Sequence, residues 1–345
     1  MSTILIASGL LAFIGTVFFT GVYRTAAIKQ GIIDTPDHRS SHTQPTPTGG
    51  GVVAVITILA LWLVGHFVGL LTTKETIALV MPGALIALVG FLDDRKPLAK
   101  RWRFGAQIIS AITVIALLYP LPALPIWGEF ALNLNHWPLP FVALAMVWLI
   151  NLYNFMDGID GLAGSEAVTV LGAVAIILAL AGNTNLAILL ALTAVPMLGF
   201  LVWNWPPAKI FMGDACSTFL GLSFGTLALI TSKDAQITPW VWVIMLSAFW
   251  VDATYTLVVR MVTGQDWRSP HRTHLYQKLA LKKKDHYRVT LLLMTMNGAV
   301  CYSLIETLPD DCQFNLLTLA SISLILLITC WYLKAGIPTQ FNSER

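Results

Sequence analysis

LPFVALAMVWLINLYNFMDGIDGLAGSEAVTVLGAVAIILALA, residues 139–181, decides how the chain is read. Two apolar runs, 139–154 and 163–181, have lengths suited to a helix crossing the ~30 Å core of a bilayer. Around their junction, residues 151–164 hold two asparagines, two aspartates and three glycines. Carboxylates and carboxamides are expensive at a membrane edge and need a reason to be there.

The rest of the chain repeats the pattern. Of 345 residues, 56% are hydrophobic and only 11% charged, with mean hydropathy +0.73. Soluble domains carry roughly a quarter charged residues. The alternating ~10-residue segments of a membrane β-barrel are absent. The sequence therefore describes an all-α, polytopic integral membrane protein, one transmembrane domain over 1–345 with 10–11 spans. The spans fall near 3–23, 50–71, 77–92, 104–120, 139–154, 163–181, 184–203, 215–231, 238–260, 290–307 and 314–334, the run at 77–92 being the shortest. The first lacks a basic n-region and an A-x-A-like cleavage site and reads as a retained helix.

Charge sets the orientation. With the N-terminus outside and the C-terminus in the cytoplasm, every lysine and arginine except Lys74 and Lys233 falls inside, as the positive-inside rule requires. No segment between spans is long enough for a soluble domain. No G-x-G-x-x-G follows a strand-like run, no internal repeat is visible, and nothing suggests a nucleic-acid partner. Cys216, Cys301, Cys312 and Cys330 form no C-x-x-C pair and read as small apolar filler. His66 reads as a packing residue, and Trp137, Trp203, Trp205, Trp240 and Trp242 as interface anchors.

Each inside segment between spans carries a polar cluster: 34–51, 90–107, 151–164, 204–217 and 265–277. Asp93 and Asp94 are adjacent anions, either a solvated helix end or a pair bridged by a cation. Asn154, Asp157 and Asp160 step by three, and Gly158 and Gly161 let the chain turn there, for a plain turn or to face a ligand. Asp214 in FMGDACS either caps the helix that starts near Ala215 or faces a site, with Lys209 nearby for an anion. His271, Arg272 and His274 lie on a basic loop, where Pro270 starts a short helix whose N-terminus suits an anion, or where the loop meets anionic lipid. Asp252 is an intramembrane carboxylate, functional or structural. The oxygen-rich donors favour Mg²⁺ or Mn²⁺ over zinc, and Mg²⁺ with surrounding cations suits phosphoryl transfer.

Taken together, D-x-P-x-x-R…H-x-x-P-x-P-x-G-G at 34–50, G-F-x-D-D at 90–94, N-x-x-N-F-x-D-G-x-D-G at 151–161, F-M-G-D at 211–214 and H-x-x-H at 271–274 resemble the bacterial polyprenyl-phosphate N-acetylhexosamine-1-phosphate transferases. The resemblance covers roughly residues 30–280. It implies transfer of N-acetylhexosamine-1-phosphate from a UDP-sugar to undecaprenyl phosphate, with Mg²⁺ and release of UMP, at the cytoplasmic face of a bacterial inner membrane. It implies that Asp93 and Asp94 handle the lipid phosphate and that Asn154 and Asp214 hold the metal. Asp157, Asp160, Asn204, Lys209 and Phe211 would contact the nucleotide sugar, and His271, Arg272 and His274 the diphosphate and sugar. Pro97 stands where some members carry a third acidic residue, so no D-D-x-x-D motif exists here. H-R-T-H-L-Y-Q resembles the branch that begins O-antigen or capsule units. The donor sugar and a homodimeric state stay open. A nucleotide-sugar transporter should carry its polar residues near the bilayer midplane, and an intramembrane prenyltransferase should carry paired Asp-rich motifs; this chain shows neither.

Overall fold

The computed structural model describes residues 2–36, 44–128, 130–233, 237–266, 269, 271–283, 285–306 and 312–338. Arg39 and His42 of the first motif, Pro270 and Lys284 lie outside the described residues, as does the side chain of Cys312. The helices are α1 (Ser2–Gln30), α2 (Val52–Phe67), α3 (Thr73–Arg95), α4 (Lys100–Leu118), α5 (Leu139–Phe155), α6 (Leu162–Leu180), α7 (Thr184–Asn204), α8 (Asp214–Thr231), α9 (Pro239–Met245), α10 (Ser247–Val262), α11 (Leu275–Lys283), α12 (His286–Glu306) and α13 (Cys312–Tyr332). All except the short α11 coincide with expected spans. Among the described residues, eight helices are long and apolar enough to cross a bilayer alone. The pair α9–α10, bent by 69° at its break, has the form of a broken span or a re-entrant loop, and α2 and α5 are apolar but shorter.

Local chemistry sets the ends. The 16-residue run at 77–92 becomes a helix of 23 residues, because T-x-x-E starts it four residues earlier and it continues three residues further, to Arg95. The Thr72 hydroxyl oxygen accepts the Glu75 N–H, and the Glu75 carboxylate accepts the Thr72 N–H at 2.8 Å, which satisfies two donors that a helix start leaves orphaned. Asn183 starts α7 in the same spirit, accepting the Leu186 N–H at 3.1 Å.

Burial orders the bundle from centre to rim. The best apolar window is 78% buried in α8 and 72% in α6, against 22% in α1 and 11% in α13. So α8 is the axis, packed on α3 and α5, and α6 lies between α7 and α12. Rim helices turn their apolar faces outward, which is stable only in lipid. Cys216, Cys301 and Cys330 are buried free thiols, and His66 Nδ1 lies 3.2 Å from the Leu71 carbonyl. Trp242 departs from the interface-anchor reading: it is buried and donates its Nε1–H to Thr231 Oγ1 at 2.9 Å.

Two antiparallel ribbons mark the two ends of the bundle. β1 (Ile33–Asp34) pairs with β2 (Thr46–Pro47), and β3 (Leu124–Trp127) pairs with β4 (Phe130–Leu132). The second ribbon lies in the connection between α4 and α5, and it is held by Trp240 Nε1–H donating to the Pro125 carbonyl at 2.6 Å. At the other end Asp34, Asp94, Asp157, Asn204, Gly213, Gln277 and His286 line one cleft, so the connections expected inside converge there. Reporter fusions near Lys100 and Asp266 should therefore both score as cytoplasmic, and one near Asn133 as external. Opposite scores for the first two would break the single-face arrangement.

Candidate active site

The G-F-x-D-D and F-M-G-D motifs meet at the first turn of α8. Asp94, from the end of α3, accepts the Asp214 N–H at 2.8 Å on Oδ1 and the Ala215 N–H at 3.2 Å on Oδ2. It therefore caps a helix that is not its own, placing negative charge on the positive end of the α8 dipole. Gly90, one turn earlier on α3, makes room: a Cβ there would stand 2.6 Å from the Asp214 carbonyl and the Ala215 nitrogen. Gly213 has φ +82, and a Cβ on it would fall 2.6 Å from Asp94 Oδ2. Of the two readings of Asp214, this excludes the helix cap. Asp94 caps α8, which leaves the Asp214 side chain to face outward into the site.

Asp93 does different work. Its Oδ2 pairs with Arg103 of α4, and its Oδ1 accepts the Leu98 N–H at 2.6 Å, closing the α3–α4 turn. Arg103 Nη1 also lies 3.7 Å from Asp214 Oδ2. The Asn154 amide, at the end of α5, donates to Asp214 Oδ1 at 2.8 Å and to Ser217 Oγ at 2.9 Å. Asn154 and Asp214, sixty residues apart in sequence, thus touch. A niche of about 20 Å³ opens beside them, walled by Arg103, Gln107, Asn151 and Thr218 with Ile86 and Val89.

On the other side of Asp214 lies the larger cleft, about 270 Å³, whose walls include Asp94, Asp157, Asp160, Asn204, Phe211 and Asp214. The 151–164 stretch turns there: α5 ends at Phe155, Gly161 takes φ +73, and α6 begins at Leu162. Asp160 Oδ2 accepts the Ala208 N–H at 3.0 Å and lies 3.3 Å from His286 Nδ1. Asn204 is buried, accepting the Gly161 N–H at 3.1 Å and donating to the Ile210 carbonyl at 2.9 Å. Phe211 is strung against the first cluster, its N–H on the Pro47 carbonyl at 2.8 Å and its carbonyl on the Gly50 N–H at 2.9 Å. Asp157 is half-buried, and burial together with the carboxylates of Asp214, Asp94 and Asp160 pushes it up to about 8.

Four sequence candidates stand apart from this cleft. Lys209 is exposed, its Nζ 5.7 Å from the centre of the Trp203 ring. His271, Arg272 and His274 lie on the α10–α11 connection and are not among the lining residues. The helix described there begins at Leu275. His274 is buried and stacks on His271 at 4.9 Å, and Thr273 Oγ1 lies 3.1 Å from His271 Nδ1. Instead α11 reaches the cleft through Gln277, and α12 through His286. Sequence reasoning passed over both: Gln277 closes the fifth cluster without a charge, and His286 follows a lysine run that reads as solvated. Arg103 follows Lys96, Lys100 and Arg101, and nothing in the sequence singles it out from them.

The donors fit a hard divalent cation in part. They are all oxygens, and five carboxylates, Asp34 included, line one cleft, a crowding that a cation would relieve. The Asn154 side chain turns its nitrogen, not its oxygen, to Asp214 and Ser217. Among the described residues, no group of three His, Cys, Asp or Glu is set to hold a metal. A cation at Asn154 and Asp214 would draw its remaining oxygens from substrate and water.

The fold and cleft define a class: a helical, multi-pass membrane protein with an oxygen-lined, acidic cleft at one end of its bundle. Comparison with known proteins narrows it. The family model described as Glycosyl transferase family 4 matches residues 76–232. A "Decaprenyl-phosphate N-acetylglucosaminephosphotransferase" of Mycolicibacterium smegmatis is 31% identical over 332 residues, covering 88% of this chain and 82% of the relative. An "Undecaprenyl-phosphate alpha-N-acetylglucosaminyl 1-phosphate transferase" of Salmonella typhi is 30% identical over 303 residues, covering 84% and 79%. A "Probable undecaprenyl-phosphate N-acetylglucosaminyl 1-phosphate transferase" of Bacillus subtilis is 29% identical over 304 residues, covering 86% and 82%. The chain belongs to the polyprenyl-phosphate N-acetylhexosamine-1-phosphate transferase superfamily.

The histidine loop generates a pH prediction. Burial, then His274 and Arg260, push His271 down to about 3 against an opposing pull from Asp252. Between about pH 6.5 and about pH 3 the unfolded chain binds a proton at His271 that the folded chain refuses, so acidification destabilises the fold. His271→Gln removes that cost. In detergent, its melting temperature should fall less than that of the wild type as pH drops through this window; parallel curves would contradict the burial.

Proposed function

We propose that the protein transfers N-acetylhexosamine-1-phosphate from a UDP-sugar to undecaprenyl phosphate, releasing UMP at the cytoplasmic face of a bacterial inner membrane. The carrying observation is the convergence of Asp94, Asp157, Asp160, Asn204, Phe211 and Asp214, from three separate inside segments, on one cleft at a helix-end face. A soluble nucleotide sugar and a membrane-held lipid phosphate can meet only at such a face. The relatives' names support N-acetylglucosamine as the sugar, with UDP-N-acetylfucosamine and UDP-N-acetylgalactosamine as alternative donors. The H-R-T-H-L-Y-Q loop supports a first membrane step of O-antigen or another surface polysaccharide.

In the reaction, an oxygen of the lipid phosphate forms a bond to the sugar-bearing phosphorus. The bond from that phosphorus to the bridging oxygen breaks, and UMP leaves with the electron pair. Mg²⁺ or Mn²⁺, held by Asp214 and Asn154, supplies charge stabilisation for the diphosphate when bound. Arg103, oriented by Asp93 beside the niche, offers a guanidinium to the lipid phosphate. Asp94 fixes the α8 terminus and so the place of Asp214. Asp157 and Asp160 wall the nucleotide-sugar side, where Asp160 is steadied by His286 and the Ala208 N–H.

These roles separate in mutants. Membranes holding the protein should release UMP from UDP-N-acetylglucosamine only when polyprenyl phosphate is added; release without it would refute the reaction. Asp93→Asn and Asp94→Asn should each lower turnover by at least ~10²-fold. Asp94→Asn should also lower the melting temperature, because a cap is worth about 1 kcal/mol. Normal turnover in both would reduce the pair to a helix end. Chelation should abolish activity and Mg²⁺ or Mn²⁺ restore it. Asp214→Ala should be folded and inactive, and Asn154→Asp should exceed Asn154→Ala. An active Asp214→Ala in chelator-treated membranes would rule out the metal assignment.

A further inference from the structure

Asp252 lies on the membrane-crossing helix α10, 2% exposed, and lines neither the cleft nor the niche. A buried carboxylate of this kind is costly unless its oxygens are satisfied. Here they are. Oδ1 accepts the Leu275 N–H at 2.8 Å and the Thr256 hydroxyl at 3.1 Å, and Oδ2 accepts the Tyr276 N–H at 3.1 Å. His274 Nδ1, itself buried and without a hydrogen bond of its own, stands 3.4 Å from Oδ1. Leu275 and Tyr276 are the first two residues of α11, so a carboxylate on one helix caps the next, as Asp94 does for α8.

What α11 carries makes the anchor consequential. The Tyr276 hydroxyl donates to the Phe155 carbonyl at 2.9 Å, at the end of α5. Gln277 Oε1 accepts the His274 N–H at 3.3 Å, and the residue lines the cleft. A Cβ on Gly158 would lie 2.1 Å from the Tyr276 hydroxyl oxygen and 3.1 Å from Gln277 Nε2. The start of α11 is therefore pressed onto the turn that bears Asp157. We infer that Asp252 is a positioning residue: by holding the first turn of α11 it fixes Gln277 and the Gly158 turn as one wall of the cleft, on the nucleotide-sugar side. That assignment of the wall rests on the transferase reading; the docking of α11 does not.

The test separates the two. Asp252→Asn keeps the shape but leaves one carbonyl oxygen to serve two backbone N–H groups. With UDP-N-acetylglucosamine as donor, its KM should rise about tenfold, the size of one lost hydrogen bond to a charged group. The KM for polyprenyl phosphate should not move, a split that general loosening would not produce. Hydrogen exchange across 271–283 should speed up while α6 and α8 keep the wild-type rate. A folded Asp252→Asn with wild-type exchange in 271–283 would overturn the proposal, as would donor and acceptor KM rising together. If Asp252→Asn does not fold, Thr256→Val, which removes the hydroxyl donated to Asp252, carries the same two readouts. If the wild type transfers nothing from any UDP-sugar, the transferase reading fails, and exchange across 271–283 alone decides the role of Asp252.

Discussion

The contact on which the site depends is that between the end of α3 and the start of α8. Two backbone N–H groups at the head of the central helix are accepted by one carboxylate, Asp94, in a gap that only Gly90 leaves open. Hydrogen bonds to a charged partner contribute about 1.5–3 kcal/mol each, more than an exposed ion pair. Because the capping group comes from a neighbouring helix, satisfying α8 also registers α3 against it. Asp93, the next residue back, is then directed at Arg103 of α4. One dipeptide thereby ties three helices at the same depth.

Electrostatics sets the opposing demand. Asp94, Asp157, Asp160 and Asp214 share one cleft, and Asp157 responds to burial and to its neighbours by holding its proton to about 8. Neutral or cationic groups offset part of the crowding: the Asn154 amide and Arg103 beside Asp214, and His286 beside Asp160. The balance is incomplete at Asp157, which has no cationic partner among the described contacts, so added positive charge would relieve the crowding there.

Much of this was legible in the sequence because the lipid environment simplifies the code. Hydropathy located the helices α1 to α10, α12 and α13, and charge asymmetry grouped the five clusters that the structure brings to one end. Reading failed where a contact runs between helices. FMGDACS allowed Asp214 to cap α8, and no local pattern says that a residue 120 positions earlier would take that role. Gln277 and His286 have no motif of their own, since their place in the cleft comes from the docking of α11 and α12. Hydropathy also understated α3, because the Thr72–Glu75 capping box, not apolarity, sets its start. Trp242 misled for a related reason: an indole suits a membrane interface, but one hydroxyl partner, Thr231, is enough to keep it in the core.

The cleft is lined from Asp34 at one extreme of the sequence to His286 at the other. Helices enter a membrane in the order of their synthesis, so the carboxylates arrive together well before the last wall does. A nascent chain threaded through α8 already holds Asp94, Asp157, Asp160 and Asp214 at the interface, without Gln277 or the imidazole of His286. The acidic half of the cleft must therefore be tolerated during biogenesis by open water, and the finished cleft is a late product of assembly.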